Sequence, residues 1–236
     1  MKNRDKIKEP ELADKFICFF SGGYDVYPEV PAQGIIDIIA YRAPVVIAVE
    51  CKMQFGFDVL EQAVKNKAFA HYSYIAIPKP IRKFSPLKEA VCKSQGIGVL
   101  TYDFAEPKKN NRNASQVLKG LDKDTLLADR IREVVKPCLN RKIVKPNLEA
   151  WMKQSVAGSQ SQRMTAFKNT VAEIERLLEK KGVIKVDEAL RRIKHHYGSI
   201  SSAKSSLYGL CKKNIITSFT MEKGVFRVTG KEKAAV

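Results

Sequence analysis

The sequence predicts an α/β chain in two folded parts: a core with a mixed central sheet over residues 1–105 and a small α+β domain over 164–236, joined by a basic segment, 106–163. Three observations lead there. Apolar patterning in the first part runs helix, three strands, helix, strand, helix, strand, the order of a sheet covered by helices. Polar, turn-rich runs then break the pattern, at Pro107 to Asn113 and again at Lys153 to Gln162. Beyond them come three amphipathic helix patterns closed by a hairpin signal.

The first helix is expected over 9–16, with Pro10 tolerated in its first turn. Phe16 to Phe20 either ends that helix or begins a strand. Gly22-Gly23 forces a turn, and Val26 to Val30 reads as extended. Two β-branched runs follow, Gly34 to Ala40 and Pro44 to Lys52, joined by the short Tyr41-Arg42-Ala43-Pro44 connection of a hairpin. Asp58 is expected to cap a helix reaching about Ala70, with Val59, Ala63 and Ala70 inward. Tyr74 to Pro78 reads as a strand. Ser85 at the N-cap, Pro86 at the first helical position and Glu89 after them start another helix, which stops at Gly96. Ile97 to Tyr102 supplies one more strand. Leu121 to Val135 has helical character, with Leu126, Leu127, Ile131, Val134 and Val135 apolar.

In the last part, Phe167, Val171, Ile174, Leu177 and Leu178 give one apolar helical face that ends at Gly182. Val183 to Val186 reads as a short strand. Asp187 is expected to cap a second helix closing near Gly198, and Ser201 or Ser202 a third holding Ala203, Leu207 and Leu210. Ile215 to Met221 and Val225 to Thr229 flank the turn Glu222-Lys223-Gly224. This order resembles a winged helix. The resemblance implies that the third helix presents Lys204, Ser205, Tyr208 and Lys212 to phosphates or base edges and that the wing adds Lys223. A module for protein contacts or dimerisation is the competing reading.

The chemistry concentrates at Asp37, Glu50 and Lys52. Side chains alternate along a strand, so Glu50 and Lys52 share a face with Val46 and Ala48, and two charges end an apolar row. Carboxylates placed there cost free energy unless they are paired or hold a metal. A hairpin brings Asp37 beside Glu50 and offers two hard oxygen ligands with an ammonium next to them. The competing reading is a strand end with a solvated Glu–Lys pair.

An acid on one strand followed by acid-x-Lys on the next, here Asp37 and Glu50-Cys51-Lys52, resembles the PD-(D/E)XK nuclease superfamily. Gln62 on the following helix and Glu29 on the preceding strand add to the likeness, which covers roughly residues 10–105. The resemblance implies a restriction-endonuclease-like core with a mixed central sheet, plus the small C-terminal winged-helix-like α+β domain. It implies that Asp37 and Glu50, helped by the main-chain carbonyl of Cys51, bind Mg²⁺ or Mn²⁺. Lys52 then orients the attacking water or offsets charge in the transition state, and Gln62 positions Lys52, water or the DNA backbone. Glu29 and Glu11 compete as an accessory acid for a second ion. The expected function is metal-dependent endonucleolytic cleavage of DNA, double-stranded or branched, by a monomer or a homodimer. A non-catalytic DNA-binding regulator and an RNA-directed nuclease are the alternatives.

Charge supports a polyanionic partner. Residues 1–105 hold 14 Lys+Arg against 12 Asp+Glu, and residues 106–236 hold 28 against 13, so nearly all of the formal +17 lies in the second part. The five cysteines are scattered without a Cys-x-x-Cys pair, which argues against a zinc site or a disulfide framework. No apolar run is long enough to span a membrane and no signal-peptide pattern opens the chain, so a soluble cytoplasmic protein is expected. His195 and His196 are neighbours on a predicted helix and share no face, so they make a poor metal pair. His71 reads as structural. No phosphate-binding Gly-x-x-x-x-Gly-Lys-Ser/Thr loop is present.

Overall fold

The computed structural model describes residues 7–105, 127, 129–157 and 164–229. The chain divides into two compact units, residues 1–163 and 164–236.

The first unit is a mixed α/β fold around a six-stranded sheet. The strands are β1 (Asp25–Ala32), β2 (Gly34–Arg42), β3 (Val45–Cys51), β4 (Tyr72–Pro78), β5 (Gly98–Tyr102) and β6 (Ile131–Val135), in that spatial order. β1, β2 and β3 form an antiparallel meander, β3, β4 and β5 run parallel, and β6 returns antiparallel on β5. The parallel strands need crossovers. These are the helices α2 (Phe57–Asn66) and α3 (Pro86–Gln95).

Period-two alternation sorts the apolar side chains onto two faces. Ile38, Ala40, Ile47, Val49, Cys51, Ala76, Leu100 and Tyr102 pack against α1 (Glu9–Ser21) through Leu12, Ala13, Phe16 and Phe20. Ile75, Ile77 and Val99 pack under α2 and α3 with Val59, Ala63 and Cys92. Both faces are thus covered, as a sheet with buried parallel strands requires. Phe16 to Phe20 continues the first helix, because Phe16 and Phe20 keep its inward spacing. Gly98 is required where it stands, since a Cβ there would collide with the Tyr74 ring.

Several sequence expectations shift. The N-cap of α2 is Gly56, with Asp58 inside the first turn, and the helix ends at Asn66. As expected, Ser85 is the N-cap of α3, and Gly96 at φ 66° ends it in the left-handed conformation. The helical character read over Leu121–Val135 fails for its last residues. Ile131–Val135 is an edge strand, and only Val135 is buried. Its apolar spacing fits a helix, but pairing with β5 satisfies its backbone instead. Residues 131–157, read as part of a linker, are integral to the first unit. Cys138 N–H donates to Gly96 O, Asn140 N–H to His71 O and Val144 N–H to Ala68 O, at 2.7–3.0 Å. The remainder of the expected linker lies mostly outside the described residues.

The second unit contains α4 (Ala166–Lys181), α5 (Val186–Arg192) and α6 (Ile200–Lys212), with a sheet of β7 (Val183–Lys185), β8 (Phe219–Glu222) and β9 (Val225–Val228) in the order β7-β9-β8. Thr165 caps α4, accepting from Lys168 N–H at 3.1 Å. Ser199, not Ser201 or Ser202, caps α6 by accepting from Ser202 N–H at 3.1 Å. Lys185 occupies the N-cap of α5 and Asp187 its first turn. Lys223 at φ 45° and Gly224 at φ 75° make the tight turn between β8 and β9. The core joins Ile174, Leu178, Leu190, Leu207, Phe219 and Phe226.

Candidate functional site

The antiparallel register pairs Ile38 with Val49, so the next step along β2 and β3 sets Asp37 opposite Glu50. Both carboxyls are buried, Glu50 at 1 % exposure and Asp37 at 8 %. The Cys51 N–H donates to Asp37 Oδ2 at 2.8 Å, which fixes Asp37 against the end of β3. The Cys51 thiol is buried in the core beneath α1, where burial raises its pKa well above that of a free thiol. Only its main chain is therefore available beside the carboxyls.

The two carboxyls lie within hydrogen-bonding reach of each other. Burial raises the pKa of both, and mutual repulsion raises that of Glu50 further. In the metal-free protein the pair therefore retains a proton above the ordinary carboxylate range. Lys52 completes the cluster. Burial works to lower its pKa, but the bond to Glu9 and the charges of Asp37 and Glu50 outweigh it, and the net shift is upward.

Asn66 and Glu9 are the residues that sequence reasoning missed. Asn66 Nδ2 donates to Glu50 Oε1 at 2.6 Å, and Lys52 Nζ donates to Glu9 Oε1 at 2.7 Å. Gln62, expected to help at the site, is exposed on α2. Asn66 is buried because it continues the inward stripe of Val59 and Ala63, whereas Gln62 lies off it. The same reasoning separates Glu9 from Glu11. Glu9 shares the stripe of Leu12, Ala13 and Phe16, while Glu11 is exposed, so the α1 acid beside Lys52 is Glu9. A polar residue on an otherwise apolar helical stripe is the signal that finds both.

Glu29 is buried in β1 between the Pro28–Ile38 and Val30–Ile36 pairs, which sets its backbone opposite Asp37. Its φ of 54° lies in the left-handed region, a conformation that costs a non-glycine residue on the order of 1–3 kcal/mol. Local strain thus coincides with the carboxyl pair.

The donor chemistry suits a hard divalent cation. Asp37 and Glu50 are oxygen ligands, and Mg²⁺ keeps several of its waters when one or two carboxylates bind it. Among the described residues there is no group of three or more His, Cys, Asp or Glu side chains able to hold a metal. Any ion here would rest on this pair, a main-chain oxygen and water. The histidines are accounted for elsewhere. His71 Nδ1 accepts from Val46 N–H at 3.1 Å, and His196 Nδ1 meets Thr170 Oγ1 at 3.1 Å.

In the second unit, Ser205, Tyr208 and Lys212 lie exposed along one stripe of α6, and Lys223 is exposed at the turn. Lys204 differs. It is half-buried and its Nζ meets Asp187 at 2.7 Å, so part of its charge is compensated. Among the described residues no helix is long and apolar enough to cross a membrane. No protein-family model, curated protein or solved structure matches the chain.

Proposed function

We propose that the chain is a metal-dependent DNA endonuclease of the PD-(D/E)XK type, with a restriction-endonuclease-like core and a winged-helix-like second unit that holds DNA. The observation that carries this reading is the buried Asp37–Glu50 pair at the end of β2 and β3, with Lys52 one residue beyond the strand. A fold does not bury two like-charged carboxyls side by side for stability, because each ionisation penalises the other.

Asp37 and Glu50 would hold Mg²⁺ or Mn²⁺ with the Cys51 carbonyl. Bound there, the ion supplies Lewis acidity at a phosphate oxygen and a more acidic water. The chain's own part is positioning and charge. The Cys51 N–H keeps Asp37 turned toward Glu50. Asn66 orients Glu50 and stabilises its anion once the shared proton leaves. Lys52, half-exposed at the strand end, sets a positive charge where a scissile phosphate would gain negative charge. Glu9 holds the Lys52 ammonium in place and yields it when a phosphate competes.

Supercoiled plasmid, linear duplex, single strand and branched DNA, each with and without Mg²⁺, provide the test. Cleavage is expected only with the ion, and Asp37→Ala, Glu50→Ala and Lys52→Ala should each lower it by at least ~10²-fold, the usual cost of losing one electrostatic contributor. Wild-type-like cleavage by Asp37→Ala in nuclease-free protein would overturn the proposal. The second reading, a non-catalytic DNA-binding regulator, draws on the Lys52–Glu9 ion pair, which occupies the ammonium in the free protein. It predicts binding without cleavage of any of the four substrates.

A further inference from the structure

A groove of about 920 Å³ opens at the same edge of the sheet as the carboxyl pair, beyond the carboxyl ends of β3, β4 and β5. Its walls begin at Met53, one residue from Lys52, and continue through the loop between β4 and α3. Four cationic side chains line it, Lys79, Arg82, Lys83 and Lys88, and no acidic side chain does. Lys79 is neutralised by Asp103 at 2.6 Å. Arg82 and Lys83 are exposed, and Lys88 Nζ stands 5.1 Å from the centre of the Phe55 ring.

Between the cations the lining is apolar. Phe55 and Phe104 are half-exposed on its surface. Ile81, on the rim, is 84 % exposed, and Phe57 and Leu87 on the flanking helix starts are 85 % and 74 % exposed. These are the three most exposed large apolar side chains among the described residues. Exposed apolar side chains interleaved with exposed cations mark a binding surface for a ligand that is both anionic and flat-faced.

We infer that this groove binds an unpaired nucleic-acid strand, its phosphates on Arg82, Lys83 and Lys88 and its bases against Phe55, Phe104 and Ile81. A closed duplex would use the cations but not the apolar surface, because its bases are stacked inside. An unpaired strand uses both. Position adds to the case: Met53 of the groove wall follows Lys52 directly in the chain, so a strand lying in the groove would pass the end of β3. The inference rests on the nuclease reading of the carboxyl pair and names the substrate it would favour, DNA with an unpaired segment beside the cut.

Binding by the full chain in EDTA tests it apart from cleavage. The probes are fluorescent oligo-dT, oligo-rU, a blunt duplex and a duplex with splayed tails, measured by anisotropy. Arg82→Glu/Lys83→Glu should weaken oligo-dT or oligo-rU and the splayed duplex at least ~10-fold and the blunt duplex by less, because without base contacts to the apolar lining the duplex is not anchored in the groove. Whichever of the two oligomers responds identifies the sugar. Ile81→Ala, at an exposed position that the fold does not use, should show the same selectivity more weakly. Equal loss on blunt and unpaired probes would reduce the groove to a general electrostatic patch, and no loss on any probe would remove it as a site. Either result overturns the inference whatever the cleavage assay shows, and a chain that cleaves nothing yet shows the selective loss retains it.

Discussion

Among the described residues, the unit of residues 1–163 buries Glu29, Asp37 and Glu50, whereas the unit of residues 164–236 buries no charged side chain and only Thr170 as a polar one. Their surfaces differ in the opposite sense. The second unit carries 15 Lys+Arg against 7 Asp+Glu, a net of +8 on 73 residues, while the first carries 27 against 18, a net of +9 on 163. Buried charge is costly and local, and suits one defined chemical event. Surface charge is cheap and diffuse, and suits holding a long polyanion. Under the proposed function, the division of charge would parallel a division of task between cutting and holding.

If the small unit is built only for stability and surface charge, its core should behave as an independent and marginal one. Phe226 is fully buried and edge-on to Phe219 at 5.2 Å. Phe226→Ala should cost ~3–5 kcal/mol, enough to unfold a domain of this size. Calorimetry should then lose one transition and keep the other. A single transition that shifts as a whole would show that the two units are thermodynamically one.

A second experiment sharpens the other half of the comparison. The folded-state pKa of Glu50 is pushed up to about 9, by burial first and by Asp37 second. An unfolded glutamate ionises near 4.5. A raised folded pKa means that the group's stabilising contribution is complete below the unfolded value and is lost as pH rises through the folded one. Metal-free wild type should therefore lose stability between pH 5 and pH 9 (roughly the window these values set), and Glu50→Gln, which keeps the Asn66 acceptor and leaves only Asp37 to ionise, should lose less. In EDTA at the upper end of the window the variant should be more stable by on the order of a few kcal/mol, read from urea denaturation. Mg²⁺ should restore wild type and leave the variant unmoved, and calorimetric titration in buffers of different ionisation enthalpy should detect proton release on binding. Identical pH slopes for the two proteins would show that no proton is held at the pair.

Much of this was legible in the sequence because it is local. The β2–β3 hairpin, the Ser85-Pro86 helix start, the Gly96 stop and the Lys223-Gly224 turn each follow from a few adjacent residues. So does the meeting of Asp37 with Glu50, since a short hairpin fixes its own register. What was not legible depends on faces and distant partners. Ile131 to Val135 has helix-compatible spacing, and only β5, some thirty positions earlier, makes it a strand. Gln62 and Glu11 were expected at the site by residue type and approximate position, but helix phase turns both to solvent and brings Asn66 and Glu9 inward. Strand neighbours could be read from spacing alone, whereas helix neighbours required asking which position shared the apolar stripe.

The smallest expected effect concerns holding. Exposed Lys212 and Lys223 have no carboxylate partner within ion-pair distance among the described residues, while Lys204 is paired to Asp187. The three lysines should therefore not contribute alike to duplex binding. Each phosphate neutralised adds about −0.9 to the slope of log K against log salt. Lys212→Ala/Lys223→Ala should flatten that slope by roughly 1.8 if both lysines touch phosphates. Lys204→Ala should flatten it by less, because the Asp187 pair must first be broken before Lys204 can meet a phosphate. The measurement is duplex affinity of the full chain across a salt series in EDTA, where the carboxyl pair contributes no metal bridge. Equal slopes for the double variant and wild type would move duplex holding off the α6 stripe and the β8–β9 turn. It would then fall to the first unit, whose net charge of +9 is large enough to take it on.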